Sequence, residues 1–186
     1  MFRRLVSCFL LLGFLAVPVF AAAPAGAVDA RPSASDRLIA DRIADQINRY
    51  VFYSIFDDVQ GSVANGLVTL TGKVTQPYKA KAIAELAKRI SGVREVDNKI
   101  ETLPVSIYDD QLRGAIATSI YRDAMFWNYA IQVNPPIHII VDRGQVTLSG
   151  VVNSEVERRM AEIKAREAFG SFSVTNKLTL DGDSAN

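Results

Sequence analysis

The stretch GLVTLTGKV at residues 66–74 returns as GQVTLSGVV at residues 144–152. The segments around them, Val59–Thr102 and Ile137–Leu180, align at the same spacing without a gap and share identities along most of their length. Ordinary residue frequencies would supply only a few such identities. The chain therefore contains an internal duplication, and one copy of the repeat decides the fold of both.

Each of these stretches is predicted to be the second strand of a β-hairpin. Apolar residues alternate along it, and a pair suited to positive φ stands just before it, Asn-Gly at 65–66 and Arg-Gly at 143–144. Gly72 and Gly150 fall on the inward face of the strand. We interpret them as positions where a helix approaches the backbone closely, or as bulges.

Apolar residues at helical spacing lie on both sides of each hairpin. Ser35 is predicted to cap the first helix of copy one, and Asp109 that of copy two. The second helices begin with Pro77 in the first turn and with a Ser154–Glu157 capping box. The predicted buried positions are Ile39, Ile43, Ile47 and Tyr50; Ile83, Leu86, Ala87 and Ile90; Leu112, Ile116, Ile120 and Ala124; and Val156, Met160 and Ile163.

A last strand completes each unit, Val93–Thr102 in one and Ser171–Leu180 in the other. It follows Gly92 or Gly170, which suits the left-handed position at a helix end. The predicted class is therefore α+β, a tandem repeat of two αββαβ units. Each unit has a three-stranded mixed sheet with two helices on one face, and its second and third strands are parallel.

The expected domain boundaries follow from the repeat. The first unit covers residues 36–103, a linker covers 104–108, the second unit covers 109–181, and a tail covers 182–186. Because the linker is short, we expect the two units to touch each other.

The first 27 residues predict a secretory signal peptide, with a basic head, an apolar core and a small-residue exit. Cleavage after Ala23 or Ala27 would leave Pro24 or Val28 as the new N-terminus, and residues 28–35 are an N-terminal arm. Cys8 stands in a lipobox-like LVSC, but too few residues precede it for an apolar core, so we expect no acylated cysteine. We therefore expect an exported protein, periplasmic or peripheral to an envelope membrane.

Both copies resemble the BON domain (bacterial OsmY and nodulation). The resemblance rests on the pattern G-x-V-T-L-[TS]-G-x-V that begins at Gly66 and Gly144, and on a closing Val-x-Asn-Lys that contains Asn98 or Asn176. It implies an exported envelope protein, similar to osmotically induced periplasmic BON proteins. Such a protein would bind phospholipid surfaces or support envelope integrity under stress. Some relatives are proposed to be chaperones.

Charge and residue chemistry favour a binding protein over an enzyme. The chain has 21 basic and 20 acidic residues, and no basic run long enough for a nucleic-acid arm. His138 is the only histidine, and the acidic pairs at 57–58 and 109–110 lack the spacing of a calcium loop. Lys79 belongs to a basic helix whose face is either solvated or in contact with anionic headgroups. We expect no catalytic residues, metal or cofactor.

An aromatic segment follows the first helix of copy two and is the candidate binding site. Its residues either plug the open end of a small core or insert at a lipid or protein surface. Adjacent Phe126 and Trp127 are not expected to point inward together. The hypothesis is that anionic phospholipid binds here, with a chaperone or a protein-binding adaptor for envelope proteins as the alternative. The candidate residues are Arg122, Met125, Phe126, Trp127 and Tyr129.

Overall fold

Each repeat folds into one three-stranded mixed sheet, in a computed structural model that describes residues 33–182. The elements are α1 (Ala34–Asn48), β1 (Asp58–Ala64), β2 (Leu67–Val74), α2 (Pro77–Lys88), β3 (Glu95–Thr102), α3 (Ile107–Tyr121), a 3-10 turn (Ala124–Phe126), α4 (Trp127–Ala130), β4 (Ile137–Asp142), β5 (Gln145–Val152), α5 (Glu155–Glu167) and β6 (Ser173–Leu180). The first two strands of each sheet are antiparallel and the last two are parallel. The predicted α+β tandem repeat is confirmed.

The predicted signal peptide, with Cys8 and both cleavage sites, lies outside the described residues, as does most of the predicted tail. Within residues 33–182, none of the helices combines the length and the apolar character that a membrane span requires.

Both helices of a repeat pack on the same face of its sheet. The first core confirms the predicted face of α1 and, among the positions predicted for the second helix, Ile83, Ala87 and Ile90, but Leu86 is not part of it and Ala80 and Ala84 are buried instead. In the second repeat Leu112, Ile116 and Ile120 are buried as predicted, whereas Ala124 lies beyond the end of α3 and is exposed. The two cores include Ile39, Ile43, Ile47, Val68, Leu70, Val74, Ile83 and Ala87 in one repeat, and Leu112, Ile116, Ile120, Val146, Leu148, Val152, Ala161 and Ala165 in the other.

The predicted buried face of α5 is right for Met160, which packs against the second core, and wrong for the other two residues. Val156 and Ile163 are exposed, and α5 instead buries Ala161 and Ala165. These alanines occupy the positions of Ile83 and Ala87 in the aligned first repeat. The second core has an aromatic contribution from the segment after α3, so small residues on α5 leave the volume that those rings need.

A buried aspartate ties the first helix of each repeat to the hairpin turn. The Asp109 carboxylate accepts hydrogen bonds from the backbone N–H groups of Arg143 and Gly144, both at 2.9 Å. Asp36 accepts the equivalent bonds from residues 65–66 at 3.1 and 3.0 Å. All four turn residues have positive φ, as predicted. The carboxylate therefore satisfies two donors in a turn that the helix covers.

The predicted helix caps are wrong in the first helices and right in the last. Ser33 and Ser106, not Ser35 and Asp109, are the N-cap residues of α1 and α3. Asp109 lies in the first turn of α3, where it complements the helix dipole. The capping box that begins at Ser154 is confirmed.

We expect Asp109→Ala to destabilise the second repeat by about 2 kcal/mol, because two turn N–H groups lose a charged acceptor. Thermal or urea unfolding measures the change. Gln111→Ala, at an exposed position on the same helix, is the control and should change stability by less than about 0.5 kcal/mol. An Asp109→Ala protein as stable as this control would contradict the role of the carboxylate.

The close approach at Gly72 and Gly150 is made by a neighbouring strand and not by a helix. Their φ values are +119° and +110°. A Cβ atom at these positions would lie 2.0 Å from the carbonyl oxygen of Asp58 and 1.8 Å from that of Pro136. The expectation of a helix contact is therefore corrected, while the requirement for glycine stands.

Asn98 and Asn176 join the closing strand of each repeat to its second helix. Their side-chain amides donate to the carbonyl oxygens of Ala80 at 3.1 Å and Arg158 at 2.9 Å. The matched contacts give a structural role to the asparagine of the closing Val-x-Asn-Lys pattern.

The two repeats touch directly, as the short linker predicts. The N–H of Ile139, in edge strand β4, donates to the carbonyl of Ile55 at 2.7 Å, and Lys73 forms an ion pair with Asp142 at 2.6 Å. Phe56 of the first repeat packs against the core of the second. The segment before β1 therefore covers part of an edge that would otherwise be open to strand pairing.

Candidate binding surfaces

His138 lies at the junction of the repeats. Its ring centroid is 5.4 Å from that of Tyr53, and its Nδ1 is buried without a hydrogen-bond partner among the described residues. The Ser149 hydroxyl is also buried without a hydrogen-bond partner among the described residues. Both side chains line a cleft of about 330 Å³ between the repeats. Across residues 33–182, no three acidic, histidine or cysteine side chains lie close enough to hold a metal ion.

Asp57 and Lys79 form a buried ion pair that the sequence analysis did not anticipate. The Lys79 ammonium donates to the Asp57 carboxylate at 2.6 Å. Thr75 and Ser54 each donate to it from both backbone N–H and hydroxyl, at 2.8–2.9 Å. Burial raises the pKa of Asp57, but the hydrogen bonds from Lys79, Thr75 and Ser54 together hold it below its ordinary value. Lys79 is therefore not part of a solvated or lipid-facing helix surface.

The aromatic segment after α3 divides between core and surface. Phe126 is fully buried in the second core, and Tyr129 lies beside it. The Tyr129 hydroxyl donates to Glu157 at 2.8 Å and accepts from the backbone of Asn153 at 2.9 Å. Burial, and the hydrogen bond to Glu157, raise the pKa of Tyr129 to about 12. These two aromatics plug the core, which is one of the two alternatives predicted for this segment.

Trp127 points the other way and is 63% exposed. The prediction that Phe126 and Trp127 do not both face inward is confirmed, because a 3-10 turn and the one-turn helix α4 present neighbouring residues to opposite sides. Met125 and Arg122 are also exposed. Three of the five candidate residues therefore remain available at the surface.

Loops of the two repeats meet at one end of the molecule, and both carry exposed apolar side chains. The Asn134 side-chain amide donates to the carbonyl of Asn48, where α1 ends. The segment 131–133 and the loop 50–52 are each within a few residues of that contact, so they lie near each other. We call this set the end surface; it comprises Val51, Phe52, Met125, Trp127, Ile131 and Val133.

A second apolar surface lies at the other end of α3. Tyr108, Phe169 and Phe172 border a groove of about 680 Å³, and Leu112 and Ala115 contribute to its lining. We call it the aromatic groove.

This groove was not predicted from the sequence, because residue 108 was expected in the linker and lies instead in the first turn of α3. The aligned repeats contained the signal, since Phe169 and Phe172 stand where the first repeat has Ser91 and Arg94.

Comparison with known proteins agrees with the repeat. A model of the BON domain family matches residues 35–104 and 109–182. The search of curated proteins returned no significant match. Two solved structures of CdsD, a structural protein of the type III secretion system of Chlamydia trachomatis, are similar at 16% identity. One, its C-terminal domain, has a TM-score of 0.32, with 78% of this chain and 67% of that chain covered. The other has a TM-score of 0.31, with 80% and 66% covered.

Proposed function

Because this chain belongs to the BON domain family, we propose that it is an exported, non-enzymatic envelope protein that attaches peripherally to anionic phospholipid. The family is non-catalytic. The observation that carries the lipid part of the proposal is the end surface, where Trp127 and aliphatic side chains on neighbouring loops of both repeats are exposed. Trp suits a membrane interface because its ring is apolar and its N–H can hydrogen-bond near the headgroups.

The composition of the end surface favours reversible attachment over anchoring. Trp127 is 63% exposed and Val133 is 97% exposed, so each can enter the interface without unfolding. Each buried apolar side chain contributes at most a few kcal/mol by the usual area estimate. Arg122, exposed at the end of α3, adds about 1 kcal/mol of attraction to an anionic surface. Added together, these contributions to the binding free energy support weak peripheral binding.

The single tryptophan makes the proposal directly testable. Trp127 is the only Trp in the chain, so its fluorescence reports on this surface alone. Anionic vesicles should shift its emission to shorter wavelength, and neutral vesicles should do so much less. Emission that stays unchanged at saturating anionic lipid would rule out Trp127 insertion.

We expect Trp127→Ala combined with Ile131→Ser to weaken vesicle binding about tenfold, which corresponds to about 1.4 kcal/mol of lost binding free energy. Vesicle sedimentation measures the change, and circular dichroism checks that both repeats stay folded. Leu38→Ala is the matched control, because Leu38 is exposed on α1 away from the end surface. Equal binding by the double variant and the parent would contradict the proposal. Protection of a misfolding client without lipid would favour the chaperone alternative instead.

A further inference from the structure

The aromatic groove exposes more aromatic surface than the fold of the repeat requires. Phe169 is fully exposed, Phe172 is 90% exposed and Tyr108 is 82% exposed. Val105 and Ile107, which flank the groove-lining Ser106, are exposed as well. Three exposed aromatic side chains around one groove form an apolar patch of the kind that marks an interaction site.

The first repeat shows that this surface is not needed for folding. Its backbone follows the same path, with Gly92 at the position of Gly170 and φ values of +96° and +95°. The residues aligned with Phe169 and Phe172 are Ser91 and Arg94, and Tyr108 corresponds to Ser35 when the first helices are superposed on Asp36 and Asp109. The same fold therefore exists with a polar surface at this place.

The charge of the groove disfavours an anionic membrane and suits a second copy of the chain. Its lining contains one cation, Arg143, and one anion, Asp109, which already binds the hairpin turn. An anionic membrane attracts surfaces with an excess of cations, and the groove has no such excess because its cation and its anion balance. Two copies of a surface with balanced charge can meet without like-charge repulsion.

The exposed area is also of the size that a dimer needs. Three aromatic side chains contribute about 500 Å² at typical areas per ring. This is more than half of the roughly 800 Å² per partner of a standard interface, and the rest of the groove lining adds to it. A two-fold contact pairs a surface with itself, and a groove bordered by projecting rings offers such a contact both a ring and a place for it.

We infer that two copies of this chain form a symmetric dimer through the aromatic grooves of their second repeats. The groove and the end surface lie at opposite ends of α3, whose 15 residues span about 22 Å. Dimerisation therefore leaves both end surfaces uncovered. The inference does not depend on lipid binding.

Sedimentation velocity over a range of protein concentrations tests the dimer. The parent should show a monomer–dimer equilibrium in the micromolar range. Phe169→Ser with Phe172→Ser should weaken dimerisation at least tenfold. At a concentration where the parent is monomeric, the melting temperature of this double variant should equal that of the parent, because both side chains are solvated in the monomer. Phe52→Ser is the matched control, since it removes an exposed aromatic from the end surface and should leave the dimer intact.

Disulfide cross-linking places the contact. In a Cys8→Ser background, which removes the only native cysteine, Gln111→Cys in the groove should cross-link two chains on mild oxidation. Thr118→Cys, exposed two turns further along α3, should not. A parent that stays monomeric at every concentration would overturn the inference. So would a dimer that survives the double serine variant, or one that cross-links through residue 118 and not 111.

Discussion

Replacing Gly150 by valine is expected to destabilise the second repeat by about 3–5 kcal/mol, the sum expected for a strained backbone and an overpacked site. A side chain here requires φ near +110°, a conformation that L-residues rarely adopt. Its Cβ atom would also lie 1.8 Å from the Pro136 carbonyl oxygen, which is backbone and cannot rotate away. Urea unfolding of the purified protein measures the loss.

Two further glycines make the Gly150 result interpretable. Gly72→Val should destabilise the first repeat similarly, because its Cβ atom would lie 2.0 Å from the Asp58 carbonyl oxygen. Gly114→Ala is the control: this exposed glycine in α3 has no atom within 4 Å of an added Cβ. Alanine there should stabilise the protein by about 0.5–1 kcal/mol through helix propensity. A Gly150→Val protein with unchanged melting would show that β4 and β5 are not paired as described.

Replacing Lys79 by methionine should destabilise the first repeat by about 3–5 kcal/mol, because it leaves the Asp57 carboxylate buried without its cation. The Asp57 carboxylate is fully buried and the Lys79 side chain is nearly so. Water therefore cannot reach the carboxylate to solvate its charge once the lysine is removed. Lys88→Met is the matched control, since Lys88 forms an exposed pair with Glu85 on the same helix. That change should cost less than about 0.5 kcal/mol.

The loss on Lys79→Met should depend on pH in a defined direction. The folded-state pKa of Asp57 is held below its ordinary value of 3.8, so its stabilising contribution is present above that value and is lost as the pH falls through the folded pKa. Without Lys79 the folded pKa of Asp57 is higher than in the parent. The stability gap between parent and variant should therefore narrow as the pH is lowered towards and below 4. A gap that stays constant between pH 7 and pH 3 would mean that Asp57 is not the group left uncompensated.

The internal repeat made most of the fold predictable. Apolar and polar residues alternate along residues 66–74 and 144–152, and each stretch follows a turn pair that favours positive φ. Both signals are local, so a single sequence is enough to detect them. Helix faces such as Ile39, Ile43 and Ile47 follow from spacing alone. The helix caps were less predictable, because Ser33, Ser35 and Asp36 are all capping residue types in adjacent positions.

The candidate site was only partly predictable from the sequence. The burial of a side chain depends on the space and the cover that distant parts of the chain provide. Phe126 and Trp127 are both large and apolar, and the sequence indicated only that they differ in direction. Which one faces inward depends on the space that Ala161 and Ala165 leave in the core. The exposure of Phe169 and Phe172 likewise depends on the absence of any element that covers them among residues 33–182.

The sequence by itself determined the duplication, the αββαβ order and the hairpin turns, because periodicity and turn preference are properties of neighbouring residues. Only the tertiary structure decided that Asp57 and Lys79 form a buried pair, that Phe126 and Tyr129 belong to the core, and that loops of both repeats meet at one end. Each of those outcomes depends on residues far apart in the chain, whose distance is set by how the helices pack on the sheets and not by any local pattern.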